Sequence, residues 1–211
     1  MIEKKLRKTD RRTLYTEMVI KDALLALLKN NSFEKVTVTA LCREADITRA
    51  TFYLHYMDLW AVLDEVLADA LRLAEDTSAT GENTRFRLQQ IANSQNAPEK
   101  LQEQDDLLPV CQRVAALPKY RVLFLDDTLS TYIVGHIFDA EKDKTLPWLM
   151  EYCHITKEEA EMLFRFTIYG AFAVNVAHGW KKDKKWYRIQ STLLRFIFGG
   201  TDTLARMIKS E

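Results

Sequence analysis

Between Thr48 and His55 the chain gathers Thr48, Arg49, Thr51, Tyr53 and His55. Hydroxyls, a guanidinium and an imidazole at this density can hydrogen-bond to phosphates and to base edges, and an Arg that reaches the major groove can pair bidentately with guanine. The same side chains can also form an ordinary solvated helix face, and residue types alone leave both readings open. Catalytic chemistry has less to build on. The chain lacks a Gly-x-Ser-x-Gly elbow, a phosphate loop, a Rossmann Gly-x-Gly-x-x-Gly and a His-Glu-x-x-His pair. Cys42, Cys111 and Cys153 fit no zinc spacing. Cys153 and His154 are neighbours, which a helix would turn about 100° apart. No catalytic residue, metal ligand or cofactor is expected.

Those polar side chains require a scaffold. Ile20, Ala23, Leu24, Leu27 and Leu28 share one stripe of a helix running from about Arg12 to Lys29. Thr37 is placed to cap a short helix from Val38 to Ala45, and Thr48 a second from Arg49 to His55. Asp46-Ile47 leaves room only for a tight turn, whose first residue must tolerate positive φ, as Asp can. Leu41 and Ile47 would fill the space between the two helices, and small Ala45 would let them approach. The arrangement is a helix-turn-helix. Asp58 would cap a fourth helix, in which Leu59, Val62, Leu63, Val66, Leu67, Ala70, Leu71 and Ala74 keep the helical period. Gly81 is the best candidate for the break that follows.

The stretch from Phe33 to Tyr56 resembles the DNA-binding domain of TetR/AcrR-family transcriptional regulators. The matching residues are Thr37-Val38, Leu41-Cys42, Ala45-Asp46-Ile47-Thr48, Arg49, Ala50-Thr51, Phe52-Tyr53 and His55-Tyr56. The likeness covers about residues 12 to 71. Asp46 and Ala50 stand where the family usually has Gly, and Leu59 where it often has a Lys that reaches a phosphate. The Asp46 form is similar to a subgroup that includes the DhaS-like regulators. The resemblance implies an all-α fold. An N-terminal three-helix DNA-binding domain (1–57, with its basic arm) would join, through a long helix, a larger helical effector-binding and dimerisation domain (58–211). It implies DNA contacts from Thr37, Thr48, Arg49, Ala50, Thr51, Tyr53, His55 and Tyr56. It also implies a homodimer on a palindromic double-stranded operator, with repression relieved by an unidentified small-molecule effector. A regulator governed by a protein partner is the alternative, and a helical enzyme or structural protein a third.

The rest of the chain also reads as helical. Ile91 to Asp106 is too polar to assign one conformation, and Leu107 to Phe124 would hold one or two short helices, interrupted by Pro109 and Pro118. Asp127 to Phe138 reads as a helix. Thr156 is expected to cap another that runs to about Trp180, with Glu158, Glu159 and Glu161 favoured by the helix dipole. Between Met162 and Ala177 this helix is apolar on nearly every side, which demands burial all round. A last helix is expected from Trp186 to Phe198, broken by Gly199-Gly200 and resumed from Thr201 to Ile208. The two long helices are expected to be neighbours and to form a four-helix dimer interface, with Gly170 and Ala173 permitting close approach. A purely internal core is the other reading. Tyr132, His136, Phe138, Trp148, Tyr152, Phe166, Tyr169 and Phe172 are candidate pocket residues, although each also suits plain core packing.

Charge is informative only when divided. Lys+Arg and Asp+Glu are 30 each over 211 residues, yet residues 1–60 carry 11 basic and 8 acidic side chains. Lys4, Lys5, Arg7 and Lys8 head that excess. They are candidate phosphate contacts or, equally, a solvated tail. At 47% apolar and 28% charged, the chain is rich enough in apolar residues to exclude disorder throughout. The longest apolar run near the C-terminal end, Ile168 to Val174, is far short of a bilayer span. With no signal-like start and an odd cysteine count, a cytoplasmic protein that does not enter a membrane is expected.

Overall fold

A computed structural model describes residues 8–76 and 82–207. The described residues are helical throughout, with short 3₁₀ turns and no strand. In chain order the helices are α1 (Lys8–Leu27), α2 (Val38–Glu44), α3 (Arg49–His55), α4 (Leu59–Asp76), α5 (Glu82–Ala92), α6 (Ala97–Glu103), α7 (Val110–Val114), α8 (Arg121–Phe124), α9 (Ser130–Cys153), α10 (Lys157–Ala177) and α11 (Lys184–Met207). No described helix is long and apolar enough to cross a membrane.

α1 buries Ile20, Ala23 and Leu24, and Leu28 just beyond its end, against α2 and α4, as their spacing requires. The largest apolar core starts there and passes without interruption through α4 to α7, α8 and α9. Residue 57 therefore does not separate two cores, and α4 serves both halves. A second core joins α5, α6 and α11 around Leu101 and Trp186, and a third joins α9 to α10 around Phe138 and Phe164.

The C-terminal helices differ from the sequence expectation in three ways. Asp127–Leu129 is a 3₁₀ turn, and α9 starts after it and continues through Pro147 to Cys153. Leu146 and Leu149, buried on either side of Pro147, hold the helix across it, because packing offsets the lost N–H and the ring clash. His154 then ends α9 in a left-handed conformation. Gly199-Gly200 does not interrupt α11. Each glycine costs about 1 kcal/mol relative to Ala, and buried Leu194, Thr201 and Ala205 anchor the helix on both sides. Finally, α10 packs chiefly on α9, whereas α11 packs on α5, α6 and α9. The two meet through Asn175 of α10, which accepts from Trp186 and Gln190 of α11, rather than packing along their lengths. Their all-round apolar character is not buried in the single chain: Phe166 and Phe196 are each 69% exposed.

Candidate nucleic-acid interface

Local chemistry builds the α2–turn–α3 unit. The Thr37 hydroxyl accepts from the Ala40 amide at 3.1 Å and starts α2. The Thr48 hydroxyl accepts from the Thr51 amide at 3.0 Å and starts α3. Between them Asp46 takes φ 51°, the left-handed residue that the tight turn requires. The Ile47 amide then returns to the Cys42 carbonyl at 3.0 Å. Leu41, Cys42, Ala45 and Phe52 turn inward and are buried. With Phe52 inside, the rest of α3 has little choice of outer face.

Thr48, Arg49, Ala50 and Tyr53 lie on that exposed face, and Thr37 is exposed at the head of α2. The Arg49 guanidinium rests against Tyr53, 5.9 Å from its ring centroid, with a long 3.4 Å hydrogen bond to the hydroxyl. That interaction is weak enough to exchange for a base edge. Thr51 is half-buried, and its hydroxyl pairs with that of Thr48 at 2.9 Å. The remaining two candidates have partners inside the protein. The His55 ring lies 3.3 Å from a Glu17 carboxylate oxygen, tying α3 to α1. Tyr56 is buried, not on the outer face, and donates to Glu65 on α4 at 2.6 Å. Burial and that carboxylate push the Tyr56 phenol far above its ordinary range. It positions α3 and presents nothing outward.

Sequence reasoning misses Leu54 and Met57, exposed by 83% and 81%. It takes polarity as the marker of DNA contact and so passes over apolar residues on the outer face. Helical spacing from Ala50 and Tyr53 is the signal that finds them. An exposed Leu suits a thymine methyl. Lys35 and Arg43 add exposed cations near the unit. Lys4, Lys5 and Arg7 lie outside the described residues, as does the side chain of Lys8.

The aromatics expected to line a pocket are dispersed. Tyr132 and His136 sit at a junction between α4 and α9. Trp60 lies between Phe33 and Tyr132, with both centroid distances 4.6 Å, and the His136 ring is 3.1 Å from an Asp64 oxygen that also accepts from Tyr132. Burial and Asp64 push the Tyr132 phenol up. Asp126, buried before α9, accepts from the Phe33 amide at 2.6 Å, a second tie between head and body. Phe172 is core, packed on Phe124 and Trp180. Phe138 is core as well, stacked on Phe164. Tyr169 packs beside Gly135, Phe166 is exposed, and Tyr152 stacks on Trp148 while donating to Asp202 at 2.7 Å.

A cavity of about 270 Å³ does exist, where the three cores meet. Of the candidate pocket aromatics only Trp148 lines it. α5, α7, α9, α10 and α11 supply its wall, mainly with aliphatic side chains such as Leu88, Ile137, Leu163 and Ile197.

No protein-family model matches the chain. A 53-residue stretch is 34% identical to an uncharacterized HTH-type transcriptional regulator, YxbF, of Bacillus subtilis (strain 168). This stretch is 25% of the present chain and 14% of that relative. The likeness supports a DNA-binding transcription regulator and extends no further than its length.

Proposed function

We propose that the chain is a sequence-specific DNA-binding transcription regulator of the TetR/AcrR type, acting as a homodimeric repressor on a palindromic operator. One observation carries this reading: a capped α2–turn–α3 unit that buries Phe52 and turns Arg49, Tyr53 and Leu54 outward. Two such helices would enter successive major grooves roughly 34–36 Å apart. Arg49 and Thr51 would meet base edges, and Lys4, Lys5, Arg7 and Lys8 would meet phosphates. The test is retardation of the DNA beside its own gene by the purified chain, with unrelated DNA as competitor. Equal affinity for both would defeat the sequence-specific reading.

Two faces support dimerisation through α10 and α11. Met162, Phe166, Gly170 and Ala173 recur along the exposed side of α10, and Phe196, Gly199, Leu204 and Met207 along that of α11. Small residues beside large apolar ones permit close helix approach.

Release by a small molecule is favoured over control by a protein partner because a partly open, mainly apolar cavity is present. α9 gives the coupling a physical route. Its C-terminal half lines the cavity with Glu141, Trp148 and Leu149, and its N-terminal end holds Asp64 and Trp60 of α4 through Tyr132 and His136. A ligand that favours a shifted α9 would reposition α4 and the head beside it. Coupling of this kind is typically about 1–3 kcal/mol.

A further inference from the structure

Two polar residues of the cavity wall, Gln112 and Gln190, belong to one buried hydrogen-bonded chain with a free end. Asn175 is wholly buried, and its amide nitrogen donates to the Ala171 carbonyl at 2.8 Å. A carbonyl can only accept, so this bond fixes the amide and leaves Oδ1 facing Trp186. The indole of Trp186, which can only donate, meets that oxygen at 2.7 Å. Gln190 must therefore also present its nitrogen to Asn175 Oδ1, at 3.3 Å. Its own oxygen is thereby turned to Gln112, whose nitrogen donates to it at 2.7 Å. Every amide orientation is dictated by the one before. The sequence of donors ends at Gln112 Oε1, a buried acceptor with no partner, on a side chain that is 3% exposed and lines the cavity.

A buried carbonyl is costly to leave unpaired, and a ligand that donates to it would recover that cost. The remaining chemistry narrows the donor. Cys111 also lines the wall, and complete burial pushes its thiol up to about 12, so it brings no negative charge. Arg85 and Glu141 are the charged residues of the lining. The guanidinium lies 4.4 Å from the Trp148 ring centroid, and Glu141 opposes the loss of its charge by burial. Glu141 is ion-paired with Lys144 at 3.7 Å and Arg85 donates to the Lys144 carbonyl at 3.4 Å, and apart from these two the lining carries no charge to compensate an ion beside Gln112. A carboxylate there would set lone pair against lone pair. An ammonium would give up its strong hydration for one neutral acceptor.

We propose that the cavity takes an apolar small molecule with a neutral hydroxyl, an alcohol or phenol, which donates to Gln112 Oε1 once a small shift of that side chain brings the shielded oxygen to the cavity wall. The inference rests on the effector reading above for its regulatory meaning, and on the Asn175–Gln190–Gln112 chain for its chemistry.

Three matched probes test it on the full chain by titration calorimetry: para-butylphenol, butylbenzene and para-butylbenzoate. The phenol should bind at least tenfold more tightly than the hydrocarbon, with the benzoate weakest. In the double variant Gln112→Met/Gln190→Met, Asn175 keeps Trp186 as its donor, and the preference for the phenol over butylbenzene should disappear. Equal affinity for phenol and hydrocarbon, tightest binding of the benzoate, or no binding of any probe at millimolar concentration would each overturn the proposal. A preference that survives in the double variant would do the same. The regulatory reading is scored separately, by retention of bound DNA in the presence of the phenol. Binding with the stated preference but no release keeps the ligand chemistry and removes the effector role. Release by a carboxylate ligand would do the reverse.

Discussion

The recognition unit and the cavity solve opposite problems with polar side chains. In α2–turn–α3 the hydroxyls of Thr37 and Thr48 are exposed and find partners three residues away, and Arg49 finds Tyr53 four residues away. Around the cavity, Gln112, Asn175 and Gln190 are buried, and Gln112 finds its partner 78 residues away. Local partners need only their own helix, so this surface requires no distant side chain to complete it and stays available for an outside ligand. Distant partners exist only once α7, α10 and α11 have packed, and their arrangement leaves one acceptor over.

The contrast is tested most severely at Asn175. Replacement by Leu strips both Trp186 and Gln190 of an acceptor, each loss worth about 1–3 kcal/mol. Urea unfolding of Asn175→Leu should show a stability loss of about 2–6 kcal/mol. A loss under about 1 kcal/mol would mean that the buried chain is not what holds α10 to α11.

Next in size is Ala173→Arg. The position is exposed in the single chain, so folding should survive, whereas a proposed dimer would have to bury the charge. Sedimentation should give a monomer, and operator affinity should fall about a hundredfold as linked half-site binding is removed. A dimer with normal affinity would place the interface elsewhere and leave the outer face of α10 unexplained.

Arg49→Ala separates surface function from stability. Operator affinity should drop by about 1–3 kcal/mol if the guanidinium pairs with a base, while the unfolding midpoint stays within about 0.5 kcal/mol of the parent. Thr48→Ala should do the converse on a smaller scale, costing about 1 kcal/mol of stability through the missing cap. If Thr48→Ala proved as costly as Asn175→Leu, the distinction between local and distant satisfaction would fail. The smallest effect is expected from removing residues 1–9. The slope of log affinity against log salt should flatten by roughly 0.9 for each phosphate that the arm no longer neutralises, and an unchanged slope would leave those lysines as a solvated tail.

What is legible in the sequence follows the same division. The sequence bounds a helix at Arg49 to His55, and α3 spans those residues. The caps at Thr37, Thr48 and Thr156 and the left-handed turn at Asp46 are equally readable. The burial of Tyr56 is not, because its phenol is claimed by Glu65 on the next helix. Nor is the course of α9 through Pro147 or of α11 through Gly199-Gly200, since neighbouring helices offset what local propensity disfavours.

Residue order alone dictates an all-α chain, the helix-turn-helix with its caps and turn, and the apolar stripes of α1 and α4. Each depends on residues within a turn or two of one another, where periodicity and capping chemistry act directly. Packing settles which aromatics are core, which meet at the α4–α9 junction, and where the cavity opens. It alone assembles Gln112, Asn175 and Gln190 into one chain, because the amide partners that link them lie 78 and 15 residues apart. A free acceptor at Gln112 is a property of five helices packed around an apolar space. No local pattern could have encoded it.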